Sequence, residues 1–108
     1  MEHNEPAATI ELSGDLDVYR RDEIAAAFPP PGSIDRLVVD MRGASMLDSS
    51  IVAVLMRYRR SFMDAGGDPR EIVVVVPPNL RRIFEITGLV TLLTVVTSEP
   101  LADPLAEA

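Results

Sequence analysis

Apolar and polar residues alternate from Ala8 to Ser13, with Ala8, Ile10 and Leu12 in phase, the period of a half-buried strand. Gly14-Asp15 then marks a turn. Asp17 is placed to cap a helix running to about Phe28, with Ile24 and Phe28 on its apolar side. Pro29-Pro30-Pro31-Gly32 cannot continue a helix and reads as a rigid loop. Leu37-Val38-Val39 is short and wholly apolar, which predicts a central strand covered on both faces. The next segment, from Asp40 to Leu47, reads as a loop. The strongest helical signal follows: Ile51, Val52, Val54, Leu55, Tyr58 and Phe62 share one face, and Gly66-Gly67 supplies the stop.

Ile72 to Val76 is a β-branched run and predicts a second buried strand. Pro78 suits the first turn of a helix, where its missing N–H costs nothing. Leu80, Ile83, Phe84 and Thr87 would line one side of that helix, Gly88 would close it, and Leu92 to Val96 would form a last strand. Strands alternating with helices require crossover connections. The predicted fold class is therefore α/β, a single domain with a mainly parallel central sheet and helices packed on it. Its expected extent is residues 8–97, between a flexible N-terminal tail (1–7) and a C-terminal tail or short helix (98–108) containing Pro100 and Pro104.

Composition narrows what such a domain can do. At 108 residues, 47% of them hydrophobic, the chain can bury one core without staples. It has no cysteine, so disulfides and thiolate chemistry are excluded. Its single histidine, His3, lies in the polar N-terminal stretch, which leaves no Ser-His-acid triad and no metal-ligand set; Asp15 and Asp17 are simpler as turn and cap residues. No glycine-rich phosphate loop occurs. The expectation is a binding protein without cofactor or metal, not an enzyme. A basic leader and a membrane-length apolar run are both missing, which favours a cytoplasmic location without membrane insertion.

The net charge of −7 argues against nucleic acid as a partner. The charge is unevenly spread. Residues 1–50 hold four arginines against ten acidic residues, whereas residues 51–82 hold six arginines against three. All ten basic residues are arginine, a side chain that suits either a solvated surface or bidentate pairing with carboxylates at a protein interface.

Asp48-Ser49-Ser50 stands where the strongest helix begins. Backbone N–H groups lack partners there, and an oxygen side chain caps them for about 1 kcal/mol. A hydroxyl at the same place could carry a phosphoryl group of about −1.5 to −2 charges without unfolding the helix, because the helix dipole favours it.

The surrounding residues carry a resemblance. Asp40, followed by Gly43-Ala44-Ser45-Met46-Leu47-Asp48-Ser49-Ser50, is similar to the strand end and loop of the STAS family (sulphate transporter and anti-sigma factor antagonist domains). Leu12-Ser13-Gly14-Asp15-Leu16-Asp17 resembles the family's Ser-Gly-Glu-Leu-Asp strand end. Pro78-Asn79-Leu80-Arg81-Arg82-Ile83-Phe84-Glu85-Ile86-Thr87-Gly88-Leu89 resembles its third helix and Thr-Gly-Leu close. The resemblance implies an anti-sigma factor antagonist whose Ser49 is phosphorylated by a partner that is both anti-sigma factor and serine kinase, with partner contact through Asp17, Asp48, Ser49 and Ser50. The alternative it admits is a stand-alone STAS subunit on the ATPase of a lipid transporter, or a stressosome-like scaffold subunit.

Two departures from the family pattern carry expectations of their own. Ile51 and Ala53 stand where the family's switch members have glycine, so their side chains are expected to fill space left for a partner's backbone. The family's opening strand has little sequence to form it here. The first hairpin is then missing or completed by another chain, and the exposed edge invites a homodimer.

Overall fold

A computed structural model describes residues 6–98. Strand β1 (Ala7–Glu11) enters the sheet directly, and a short strand, β2 (Gly14–Leu16), follows it. A 3-10 turn over Val18–Arg20 leads into helix α1 (Arg21–Ala27). Then come β3 (Arg36–Asp40), β4 (Ala44–Leu47), the long helix α2 (Ser49–Asp64) and β5 (Ile72–Val76). The chain closes with α3 (Arg81–Ile86), the single turn α4 (Leu89–Leu92) and β6 (Thr94–Thr97). The tails outside residues 6–98, including His3 and the predicted short C-terminal helix, lie outside the described residues.

Four strands form one sheet in the order β1-β3-β5-β6, and every pairing is parallel. The α/β class with a mainly parallel sheet is therefore what the chain adopts. Ile10, Val39, Val74 and Val95 lie in register across all four strands. Leu37, Val39, Ile72, Val74 and Val76 are buried on the face where Ile24, Ile51, Leu55, Phe62, Phe84 and Leu89 complete the core. Burial alternates along β3 and β5, however, and Val38, Val73 and Val75 on the other face are only half-buried. The expectation of a strand covered on both faces is corrected. An unbroken apolar run shows that a face can be covered, and only the packing shows that it is.

Two further corrections concern the chain's middle and end. Gly14–Leu16 and Ala44–Leu47, read as turn and loop, pair with each other as a parallel two-stranded sheet, β2 with β4. The last strand begins at Thr94 rather than Leu92, because Gly88, at φ 81°, restarts the chain as the helical turn α4. The predicted helix to Phe28 begins as a 3-10 turn and ends at Ala27. α2 is as predicted, with Ile51, Val52, Val54, Leu55 and Phe62 buried and Tyr58 packed beside them. Its terminator has two parts. Gly66 takes the left-handed conformation at φ 94°, and at Gly67 a side chain would run into the Phe62 ring.

Sheet order leaves β1 paired on one side only among the described residues. Its outer edge is the one for which the sequence expects a second chain.

Candidate functional site

Asp48 occupies the N-cap of α2 with extended backbone, φ −104° and ψ 176°. Its Oδ1 accepts from the Ser50 N–H at 2.9 Å, the bond a cap makes to an otherwise unpartnered helix donor. Its carbonyl accepts from the N–H groups of Ile51 and Val52 at 3.1 and 3.3 Å. Its second carboxylate oxygen, Oδ2, does something no local pattern contains: it accepts from the Val18 N–H at 3.0 Å, thirty residues away in sequence. The Asp48 N–H in turn donates to the Leu16 carbonyl at 3.1 Å. Asp48 thus fastens the end of β2 and the turn after it to the start of α2.

Asp17 caps the turn it opens. Its Oδ1 accepts from the Tyr19 N–H at 3.1 Å, and its carbonyl accepts from the Arg20 N–H at 3.0 Å. The Arg20 guanidinium donates to the Ser13 carbonyl at 2.6 Å and the Asp15 carbonyl at 3.2 Å, and pairs with Glu23 at 3.1 Å. The Ser45 hydroxyl donates to Asp15 Oδ1 at 2.9 Å, adding a side-chain tie between β2 and β4. All four residues singled out in the sequence, Asp17, Asp48, Ser49 and Ser50, therefore lie on two segments that Asp48 joins.

Ser49 is the first residue of α2 and is exposed; among the described residues its hydroxyl has no hydrogen-bond partner. Ser50, one residue on, is half-buried and donates its backbone N–H to Asp48. Of the two hydroxyls, the one at Ser49 is the more open to an incoming reagent. Ile51 does not fill surface space as expected: its side chain is fully buried in the core, and only the Ala53 methyl stands on the exposed side. An isoleucine at that position extends the core beneath α2 and leaves the surface above it clear.

Asp40, where β3 ends, accepts from both Nε and Nη2 of Arg42 at 2.9 and 2.8 Å and from the Arg42 N–H at 3.0 Å. The Arg42 hydrogen bonds hold its carboxyl below the ordinary aspartate value. This pair fixes the chain's exit from the sheet toward β4. The arginine-rich segment divides similarly between structure and surface. Arg59 donates to the Leu92 carbonyl and Arg81 to Glu85 and Thr97, whereas Arg57, Arg60 and Arg82 are exposed.

Sequence reasoning missed an apolar element of the same surface. Val18, Tyr19 and Met46 are exposed at 47%, 92% and 38%, on the turn and strand next to Asp48. The absence of a helical or alternating role for Val18 and Tyr19 is the signal that could have found them. Among the described residues, no group of three or more His, Asp or Glu side chains is placed to hold a metal ion, and no helix is long and apolar enough to cross a membrane.

Comparison with known proteins places this geometry. The family model described as "Mlab, STAS domain" matches residues 1–95. An anti-sigma F factor antagonist of Lysinibacillus sphaericus is 27% identical over 97 residues, covering 87% of this chain and 81% of that protein. The solved structure of the anti-sigma factor antagonist SpoIIAA in its unphosphorylated form is similar with a TM-score of 0.65 and 21% identity, over 99% of this chain and 95% of the other.

Proposed function

The chain belongs to the STAS domain family, and from that premise we propose that it is an anti-sigma factor antagonist switched by phosphorylation at Ser49. In its unmodified form it binds an anti-sigma factor that is also a serine kinase, and the phosphorylated form is released. The chain acts in the cytoplasm as the kinase's substrate and is not itself an enzyme. The observation that carries the reading is the exposed Ser49 hydroxyl, unpartnered among the described residues, at the first position of α2 beside the Asp48 cap. The similarity to an anti-sigma F factor antagonist supports the partner class.

The physical logic is one of charge at a docking surface. A phosphoryl group of about −1.5 to −2 charges at Ser49 meets the positive end of α2, so the helix tolerates it. Asp48, one residue away, repels it, and a partner surface fitted to a neutral hydroxyl would have to bury the added bulk and an unpaired charge. Binding is lost while the fold is kept.

Incubation with an anti-sigma factor kinase and ATP, followed by mass spectrometry, tests the assignment. One phosphoryl group on Ser49, absent in Ser49→Ala, is expected. No modification, together with unchanged partner binding by Ser49→Asp, would overturn it. The alternative is a stand-alone STAS subunit on the ATPase of a lipid transporter, with Ser49 unmodified; the exposed Ala53 at a glycine position of the switch members favours it. Co-purification with such an ATPase rather than with a kinase would decide for that reading. The one-sided pairing of β1 also supports a homodimer through its outer edge. Sedimentation velocity should then show a concentration-dependent dimer, and a monomer at every concentration would contradict it.

A further inference from the structure

We propose that Tyr19 is the specificity anchor of the partner-binding surface, presented on a turn that the Asp17 and Asp48 carboxylates hold and inserted into an apolar pocket rimmed by Arg or Lys on the anti-sigma factor. The inference rests on the function proposed above and deepens it. Tyr19 is 92% exposed, an uncommon position for a side chain that normally buries much of its ring. It does not stand alone: Val18, Tyr19 and Met46 are three of the six large apolar side chains exposed among the described residues, and they flank Asp48. Contiguous exposed apolar groups rimmed by polar ones mark interaction sites.

The turn that presents Tyr19 is built to hold still. Asp17 accepts from the Tyr19 N–H, Asp48 accepts from the Val18 N–H, and Arg20 donates to the Ser13 and Asp15 carbonyls. A fixed backbone and a side chain with two torsions lose little entropy on binding, which is what makes tyrosine an effective anchor. Asp48 is next in the chain to Ser49, so the anchor and the phosphoryl acceptor share one support.

Charge names the partner's chemistry. Asp15, Asp17, Asp22, Glu23 and Asp48 surround the turn, and the two nearby cations, Arg20 and Arg21, are engaged by Glu23 and Asp22. The surface left to a partner is apolar at the centre and acidic at the rim. It fits a pocket lined by apolar groups with cationic side chains at its edge.

Calorimetric titration of the full chain against the anti-sigma factor kinase that modifies Ser49 provides the test. Tyr19→Ala should weaken binding by about thirtyfold or more, the range of interface hot spots, while Tyr19→Phe stays within about fivefold. Ile86→Ala, which removes another exposed apolar side chain (71% exposed) from α3, should leave the affinity within about twofold. Because Tyr19 is exposed, unfolding midpoints of all three variants should match the unaltered protein. Retention of affinity by Tyr19→Ala, with binding abolished by Ser49→Asp, would overturn the anchor and leave the switch standing. Failure of the unaltered chain to bind any such kinase would overturn both.

Discussion

Asp48 uses both carboxylate oxygens, one on the Ser50 N–H and one on the Val18 N–H. Asp48→Ala should therefore cost more than an ordinary cap, about 2 kcal/mol in urea unfolding, because a long-range tie is lost with the local one. Asp48→Asn keeps one acceptor oxygen for the two donors and should cost about half as much. Hydrogen exchange at Val18 separates the two roles: its amide should lose protection in Asp48→Ala. The cap could be read from the sequence because it is a contact between near neighbours. Its second bond could not, since nothing local ties position 48 to position 18.

A second side-chain prediction concerns acid stability. The Arg42 hydrogen bonds lower the folded-state pKa of Asp40, so the ionised form is favoured by folding. That contribution is present above the unfolded aspartate value of about 4 and is lost as pH falls through the lower folded value. Unfolding of the unaltered protein should weaken across this acid window, and Asp40→Asn should show a smaller loss there. An identical acid dependence for the two proteins would contradict the assignment.

At the scale of elements, α2 and β5 are legible in the sequence, and β2 and β4 are not. α2 has a cap, one apolar face and a glycine stop, and each signal is local. β5 is a run of β-branched residues between turn formers. β4, by contrast, buries only its first and last residues, Ala44 and Leu47, so it lacks a two-residue period. β2 has three residues and an irregular register against β4. Such short segments become strands only because each supplies the other's backbone partners. The end of α2 yields its own prediction. Gly67→Ala should destabilise by about 1–3 kcal/mol, because the new methyl meets the Phe62 ring, which has no exposed side to move toward. Thermal or urea unfolding gives the value, and a neutral substitution would contradict the packing described for that corner.

For the molecule as a whole, the fold brings two ends of separate elements together and keeps the resulting surface clear. The turn after β2 and the start of α2 converge on Asp48, with Ser49 exposed and Ile51 turned wholly into the core. The family's likeness in the sequence located Ser49. The structure adds that Ile51 is no obstacle at the surface and that Tyr19 stands exposed on the turn tied to Asp48. The helical period already puts Ile51 on the apolar face, and the packed helix keeps it there; only the comparison with the family's glycine sets it in a partner's space.

The central claim is that charge on Ser49 controls binding without disturbing the fold. The most direct measurement is the affinity of one anti-sigma factor kinase for the unmodified and Ser49-phosphorylated protein, taken with the unfolding midpoint of each form. The account predicts a loss of affinity of about a hundredfold or more between forms whose midpoints agree, since a contact fitted to a neutral hydroxyl would have to bury the added bulk and an unpaired charge, at a cost of several kcal/mol. Equal affinity for the two forms, or a loss of affinity that tracks unfolding of the phosphorylated protein, would contradict it.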